Sequence, residues 1–225
     1  MAMTKIYIVR HCEAEGNIKR IFQGHTDGAV SENGRMQLAA LANRFKDTDF
    51  SAIYTSPLTR AILTAQAINH NGLELKISDE LKEIRGGDWE GREFKSFPAD
   101  FPNESHMWNI EPHLFIAPNG ESMKSVYNRM FSFFKKVEEF NKGQTIAIVS
   151  HGCAIRNLIC AVKGYSHDRL NDIKWSDNTA VTKVIIDGGN RTVIYENDNL
   201  HLGELSTIEK QNWWKKQNRD NLIFE

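Results

Sequence analysis

Two short, continuous apolar runs constrain the fold of this chain more than any other feature. They are KIYIVR at residues 5–10 and TIAIVSH at residues 145–151, and both are rich in β-branched side chains. Because their apolar residues do not alternate with polar ones, we expect strands that are buried on both faces of a parallel sheet. SAIYTS, at residues 51–56, is a third and shorter run of the same kind.

Helical periodicity appears in the segments between and after these strands. The segments are GRMQLAALANRFK, SPLTRAILTAQAIN, ESMKSVYNRMFSFFKKVEEF and CAIRNLICAVKG, and the third should form the longest helix. Ser31 and Asn33 are candidate caps for the first, and Ser56 followed by Pro57 is a plausible start of the second. This alternation predicts an α/β fold, with a mostly parallel central sheet flanked by helices.

Three later segments complete the predicted organisation. AVTKVIID and RTVIYEND should form a hairpin across Gly188, Gly189 and Asn190. Residues 94–118 lack a clean period and are rich in Pro and aromatic side chains, which indicates an insertion or small cap. We therefore expect one domain over residues 1–204, and a tail over residues 205–225 that packs back on it.

Charge and cysteine content exclude several classes of protein. The formal net charge is −1, so no basic field attracts nucleic acid or an anionic membrane, and no apolar run approaches the length of a membrane span. The first residues lack a signal-peptide pattern. The cysteines are odd in number, which argues against a disulfide framework and favours a reducing, cytoplasmic location: Cys12, Cys153 and Cys160. The oligomeric state stays open.

Candidate functional residues lie where the predicted strands end. In open α/β sheets, ligands bind beyond the carboxyl ends of the strands. The first strand ends at Arg10 and His11, the second ends at His151 and Gly152, and the helix after the third carries Arg60 in its first turn. Arginine forks and helix N-termini both favour phosphate oxygens. The pattern therefore predicts a site for a phosphoryl group.

Cys12 offers an alternative nucleophile. Thiol-based tyrosine phosphatases place an Arg after a Cys and five intervening residues, but here that position holds Ile18. Glu13 and Glu15 would also put two carboxylates where backbone amides should hold an anion, and so disfavour a thiolate. Both spacing and charge therefore argue against a cysteine phosphatase.

Five motifs in order resemble those of the histidine phosphatase superfamily: VRHCEAEGN, TSPLTRAILTA, LKEIRGGDWEGR, PNGES and VSHGCAIR. The branch concerned includes cofactor-dependent phosphoglycerate mutases and small broad-specificity phosphatases. The resemblance covers roughly residues 5–187. It departs from the family pattern at Cys12, where the family most often has Gly, and a Cys is tolerable there if the backbone is not at positive φ.

The resemblance implies roles for the matching residues. His11 would be the nucleophile, phosphorylated on a ring nitrogen, and Glu83 the proton donor, with Glu80 and Glu90 as nearby competitors for that role. The phosphoryl oxygens would be held by Arg10, Arg60 and His151, with Asn17 nearby. The candidate substrate-binding residues are Gln23, Gly24 and Gly152. No cofactor and no metal are implied.

The resemblance implies a metal-independent phosphatase that hydrolyses small-molecule phosphomonoesters through a phosphohistidine. The first alternative is a phosphoglycerate mutase, but the E-R-H-Y-G pattern of mutases is replaced by EIRGGDWEGR, which resembles the phosphatases. The second is a binding protein that has lost catalysis. Residues 1–204 would then be a single catalytic domain, with the insertion at residues 94–118 as a small cap over the active site. The aromatic side chains of the insertion could form an apolar wall for substrate or a small core of the cap. We also hypothesise that Cys12 and Cys153 make the site sensitive to oxidation.

Overall fold

A six-stranded sheet forms the centre of the computed structural model, which describes residues 2–208 and residue 210. The strands are β1 (Thr4–Arg10), β2 (Ala52–Thr55), β3 (Lys76–Ile77), β4 (Thr145–Ser150), β5 (Val181–Asp187) and β6 (Asn190–Asp198). Their order is β3-β2-β4-β1-β5-β6. The first four are parallel, whereas β5 runs antiparallel to β1 and β6 antiparallel to β5. The predicted α/β fold with a mostly parallel sheet is confirmed.

The helices flank this sheet on both sides. They are α1 (Glu15–Lys19), α2 (Glu32–Phe45), α3 (Thr59–Ala67), α4 (Phe97–Asp100), α5 (Pro102–Ile110), α6 (Met123–Phe140) and α7 (Gly152–Val162). As predicted, α6 is the longest, and Ser31 caps α2 by accepting a hydrogen bond from the backbone N–H of Gly34 (2.9 Å). Asn33 is not a cap, because its side chain donates to Glu13 and to the carbonyl of Leu205.

Side chains of β1 and β4 alternate between two apolar clusters, so both strands are buried on both faces. Ile6 and Ile8 face one cluster, whereas Val9 faces the other. Helices α6 and α7 cover the first face, and their side chains in that cluster include Met130, Phe134, Leu158 and Ile159. Helices α2 and α3 cover the second face, with Leu41, Phe45, Ala61 and Ala65. This double burial explains why the strand sequences do not alternate.

Two predicted details are wrong. Helix α3 begins at Thr59 rather than at Pro57, because Asp27 supplies the capping contact: its carboxylate accepts from the backbone N–H (2.9 Å) and the hydroxyl (2.6 Å) of Thr59. The hairpin turn contains only Gly188 and Gly189, both at positive φ, and Asn190 already pairs with Asp187.

The insertion shares the main core instead of having a core of its own. Its side chains Phe97 and Phe115 are buried with Trp89 of the preceding segment, and the rings of Trp89 and Phe97 stack at 3.9 Å. Trp108 belongs to the same cluster but also lines the pocket described below, as Phe94 does. Of the two alternatives, the apolar wall holds for Trp108 and Phe94, whereas Phe97 and Phe115 belong to the main core rather than to a core of the cap.

The start of the C-terminal segment lies against α2. The carbonyl of Leu205 accepts from the side chain of Gln37 (2.8 Å), and the hydroxyl of Thr207 donates to Glu13 (2.6 Å). Trp213 and Trp214, which belong to the tail that we expect to pack on the domain, lie outside the described residues. Over residues 2–208 and 210, no helix has the length and apolar character required to cross a bilayer.

Candidate active site

A pocket opens beyond the carboxyl ends of the parallel strands, where the sequence predicted it. Most of the predicted site residues line it: Arg10, His11, Asn17, Gln23, Arg60, Glu83 and Gly152. His151 and Gly24 do not. His151 is fully buried behind His11, with 5.0 Å between the ring centroids. Gly24 lies where a Cβ would come within 2.2 Å of the Glu90 carboxylate, and it serves instead to hold Arg60.

His11 has the tautomer that a nucleophile requires. Its Nδ1 lies 2.7 Å from the carbonyl oxygen of Cys12. Because a carbonyl only accepts, Nδ1 carries the proton and Nε2 keeps its lone pair. Burial, followed by the charges of Arg60 and Arg10, holds the pKa of His11 well below its ordinary value. The ring is therefore neutral, and Nε2 is a competent nucleophile, at neutral pH.

This shift in pKa predicts that His11 does not titrate in the ordinary imidazole range. We expect its ring signals in ¹⁵N NMR to stay constant as the pH falls through about 6.5. Because the unfolded chain binds this proton and the folded chain does not, stability should also fall as the pH drops below about 6.5. The ring signals that are absent from the His11→Gln variant are those of His11. A titration midpoint of these signals near the ordinary imidazole pKa of about 6.5 would contradict the prediction.

Three nitrogen atoms of the phosphate-binding candidates are buried without a partner among the described residues. They are Nε of Arg10, Nε of Arg60 and Nδ1 of His151. The Nε2 atom of His151 lies 2.8 Å from the Ser56 hydroxyl, which can donate to it and so leave the proton on Nδ1. Unpaired buried donors are costly, and these three lie on residues close to His11. An anion beside His11 is the kind of partner that such donors bind.

The loop at residues 23–27 fixes the guanidinium of Arg60. The carbonyls of Gln23, Gly24 and Thr26 accept from its two terminal nitrogens at 2.9–3.2 Å. Glu90 holds this loop in turn, because its carboxylate accepts from the backbone N–H groups of residues 24–26 and from the Thr26 hydroxyl. Glu90 is therefore occupied as a positioning residue, which weakens its case as the proton donor.

Glu83 is placed by backbone donors at the start of α7. Its carboxylate accepts from the N–H groups of Cys153 (2.9 Å) and Ala154 (3.0 Å), and from its own neighbour Ile84 (2.9 Å). The segment that carries it is held by Arg129 of α6. The guanidinium of Arg129 donates to the carbonyls of Glu80, Lys82 and Glu83 at 2.7–3.0 Å, and it also forms a two-pronged ion pair with Glu121.

Arg129 is thus expected to position Glu83, the candidate proton donor, without touching substrate. Arg129→Lys keeps the charge but cannot reach three carbonyls, so turnover of alkyl phosphates should fall about 10- to 100-fold. Nitrophenyl phosphate, whose leaving oxygen needs little protonation, should be affected less. Arg191→Lys is the matched control, because Arg191 forms a similar ion pair with Glu138 of α6. If Arg129→Lys lost the same factor in turnover of alkyl phosphates and of nitrophenyl phosphate, the role of Arg129 would be purely structural.

Cys12 lacks the properties of a catalytic thiol. Its side chain is fully buried, and burial raises its pKa to about 11. Burial also raises the pKa of Cys153, whose sulfur lies 3.2 Å from that of Met123. Neither thiol is therefore a thiolate at neutral pH, which weighs against the hypothesis of an oxidation-sensitive pair. Cys12 is absent from the positive-φ residues of the described chain, so a side chain is tolerated there.

Sequence reasoning missed several residues that complete the site. The Nδ2 of Asn178 donates to the carbonyl of His11 (3.0 Å), and Thr64 accepts from the backbone N–H of Cys12 (2.9 Å). Trp175, Thr207 and Ile208 line the pocket. Most of these residues come from loops or from the far end of the chain. No local pattern marks them, because only the folded chain brings them to the strand ends.

Comparison with known proteins agrees with this geometry. The family model described as the histidine phosphatase superfamily (branch 1) matches residues 6–199. The chain belongs to this superfamily. Among its relatives, phosphoserine phosphatase 1 of Hydrogenobacter thermophilus is 33% identical over 206 residues, which cover 90% of this chain and 96% of the relative.

Solved structures match the fold over most of their length. YhfR of Bacillus stearothermophilus has a TM-score of 0.82 and 32% identity, covering 88% of this chain and 99% of YhfR. A mutant phosphoserine phosphatase of Entamoeba histolytica, in complex with phosphoserine, has a TM-score of 0.77 and 29% identity, again covering 88% and 99%. Both therefore have the same architecture as this chain.

Proposed function

We propose that this chain is a phosphomonoesterase in which Nε2 of His11 takes the phosphoryl group and water then removes it. The observation that carries the proposal is the set of three unpaired buried donors around His11, on Arg10, Arg60 and His151. Three donors of this kind match the non-bridging oxygens of a phosphoryl group. They supply positive charge and orientation, which are the main demands of phosphoryl transfer.

The first half-reaction forms the N–P bond. Nε2 of His11 attacks phosphorus, the ester P–O bond breaks, and the leaving oxygen takes a proton from Glu83. Because the tautomer of His11 is fixed by the carbonyl of Cys12, no proton has to leave the ring before attack. The two arginines stabilise the charge on the transferring group.

The second half-reaction breaks the N–P bond. Water attacks phosphorus and gives its proton to Glu83, which now acts as the base, and inorganic phosphate departs. The ring of His11 regains its lone pair, and the enzyme returns to its starting state. Glu83 thus recovers from water the proton that it gave to the leaving oxygen, and neither step requires a cofactor.

The substrate is a small phosphomonoester. Phosphoserine is the first candidate, because the relative at 33% identity is named a phosphoserine phosphatase and a similar solved structure contains that compound. A mutase and an inactive binding protein are not favoured. The named phosphatases support hydrolysis, and both His11 and Glu83 line the pocket.

Hydrolysis of p-nitrophenyl phosphate and phosphoserine, each with EDTA present, tests the proposal. We expect both to be hydrolysed at rates that the chelator does not change, since protein groups neutralise the phosphoryl charge. If neither substrate releases phosphate, the proposed phosphatase activity is wrong. Transfer of the phosphoryl group within 3-phosphoglycerate, without release, would instead establish the mutase.

A further inference from the structure

The last residue of the motif VSHGCAIR is a buried arginine that the proposed chemistry does not use. Arg156 lies on α7, and its side chain is 6% exposed. Burial lowers its pKa to about 10, so the guanidinium is still charged at neutral pH. Its titratable neighbours are two thiols rather than carboxylates, and it forms no ion pair within the described part of the chain. Because a buried cation without a carboxylate is costly, we expect this charge to have a use.

Arg156 holds the chain segment that precedes β5. Its Nε donates to the carbonyl of Ile173 (2.8 Å), and its Nη2 donates to the side-chain oxygen of Asn171 (3.0 Å). Its guanidinium also lies 4.9 Å from the ring centroid of Trp175, within the range of a cation–π interaction. These contacts fix the stretch at residues 171–175 against α7.

The same stretch of chain leads directly to Arg10. The Nη1 atom of Arg10 donates to the carbonyl of Ser176 (2.5 Å), the residue after Trp175. The ring of Trp175 also borders Arg10, because a Cβ at Gly152 would lie 3.5 Å from that ring and 3.4 Å from Nε of Arg10. This Nε is one of the buried nitrogen atoms that lack a partner among the described residues. Its direction therefore depends on Ser176 and Trp175, and through them on Arg156.

We propose that Arg156 is a positioning residue for phosphate binding, which orients the Arg10 guanidinium through the segment at residues 173–176. The inference rests on the proposed phosphatase activity. Arg156 does not touch the substrate, because it is absent from the lining of the pocket, whereas Trp175 belongs to that lining. Lysine would keep the charge, but a point charge cannot stack on the ring and donate to two oxygens at once. The Arg10 guanidinium would then lose its fixed orientation toward the phosphoryl oxygens.

Binding of orthovanadate tests the inference, since this phosphate analogue has no organic part that could contact the pocket wall. We expect its Kd, measured by calorimetry, to rise about 10-fold in Arg156→Lys and in Trp175→Leu, which removes the ring but keeps the buried arginine. Arg191→Lys is the matched control and should bind like the wild type, because Arg191 also lies over an aromatic ring (5.2 Å from the centroid of Phe131) but does not line the pocket. An unchanged Kd in both Arg156→Lys and Trp175→Leu would overturn the inference.

A double-mutant cycle separates the positioning of Arg10 from a general effect on the fold. The measured quantity is kcat/KM on p-nitrophenyl phosphate, which we expect to fall about 10- to 100-fold in Arg156→Lys. In the Arg10→Lys background, Arg156→Lys should cause little further loss, since the group on which it acts is already gone. Losses that multiply would overturn the inference. If melting curves show that Arg156→Lys does not fold, Trp175→Leu takes its place in the same cycle.

Failure of the proposed function itself would give a different result. Orthovanadate binding does not require turnover, so the Kd values test the role of Arg156 by themselves. A wild type that binds orthovanadate but does not hydrolyse p-nitrophenyl phosphate would overturn the phosphatase activity and not the positioning of Arg10.

Discussion

His11→Ala should lose at least about 10⁴-fold in kcat/KM on every phosphomonoester, whereas Cys12→Ser should retain most of the activity. The histidine variant lacks the atom that accepts the phosphoryl group. The sulfur of Cys12 faces away from this chemistry, because it lies 3.7 Å from the carbonyl of Arg60 and is fully buried. Hydrolysis of p-nitrophenyl phosphate in the presence of EDTA measures both variants.

The comparison also controls for folding. Both substitutions are in adjacent buried positions, so circular dichroism and melting curves of the two variants show whether either has lost the fold. A folded Cys12→Ser without activity, beside an active His11→Ala, would reverse the assignment of the nucleophile.

Glu83→Gln should show a loss that depends on the leaving group. Phosphoserine has a poor leaving oxygen that needs a proton, so we expect kcat/KM to fall about 10²–10⁴-fold on it. The first step with nitrophenyl phosphate needs little protonation and should be affected much less. The amide keeps one oxygen that can accept from Ala154 and Ile84, but its NH2 group then faces the N–H of Cys153, which donates to the other carboxylate oxygen in the wild type. Melting curves of Glu83→Gln are therefore part of the measurement.

The two rival glutamates provide controls for this prediction. Glu80→Gln should leave the rates on both substrates unchanged, because its side chain pairs with the exposed Lys136 among the described residues and does not line the pocket. Glu90→Gln should slow both substrates to a similar degree, since Glu90 acts through the loop that holds Arg60. A leaving-group dependence found in Glu90→Gln and not in Glu83→Gln would move the proton donor to Glu90.

The central features of the fold were predictable because they depend on short-range patterns. Buried parallel strands produce continuous apolar runs, and the residues that follow them must meet at one edge of the sheet. These two rules alone are enough to bring His11, Arg60 and His151 to a common site. The amphipathic period of α6 was equally clear, and Met123–Phe140 agrees with it.

The remaining details depend on contacts between distant parts of the chain. The start of α3 is set by Asp27, which lies 32 residues from Thr59, so the local Ser-Pro signal was misleading. Asn178 lies 167 residues from the His11 carbonyl that it bonds.

The most direct test of the account is to trap the phosphorylated enzyme. Glu83→Gln should slow the attack of water more than the first transfer from nitrophenyl phosphate, so the intermediate should accumulate. After an alkaline quench, peptide mass spectrometry should find one phosphoryl group on His11, and acid should remove it, as expected for an N–P bond. A phosphoryl group on Cys12, or steady release of nitrophenol with no labelled peptide, would contradict the phosphohistidine mechanism.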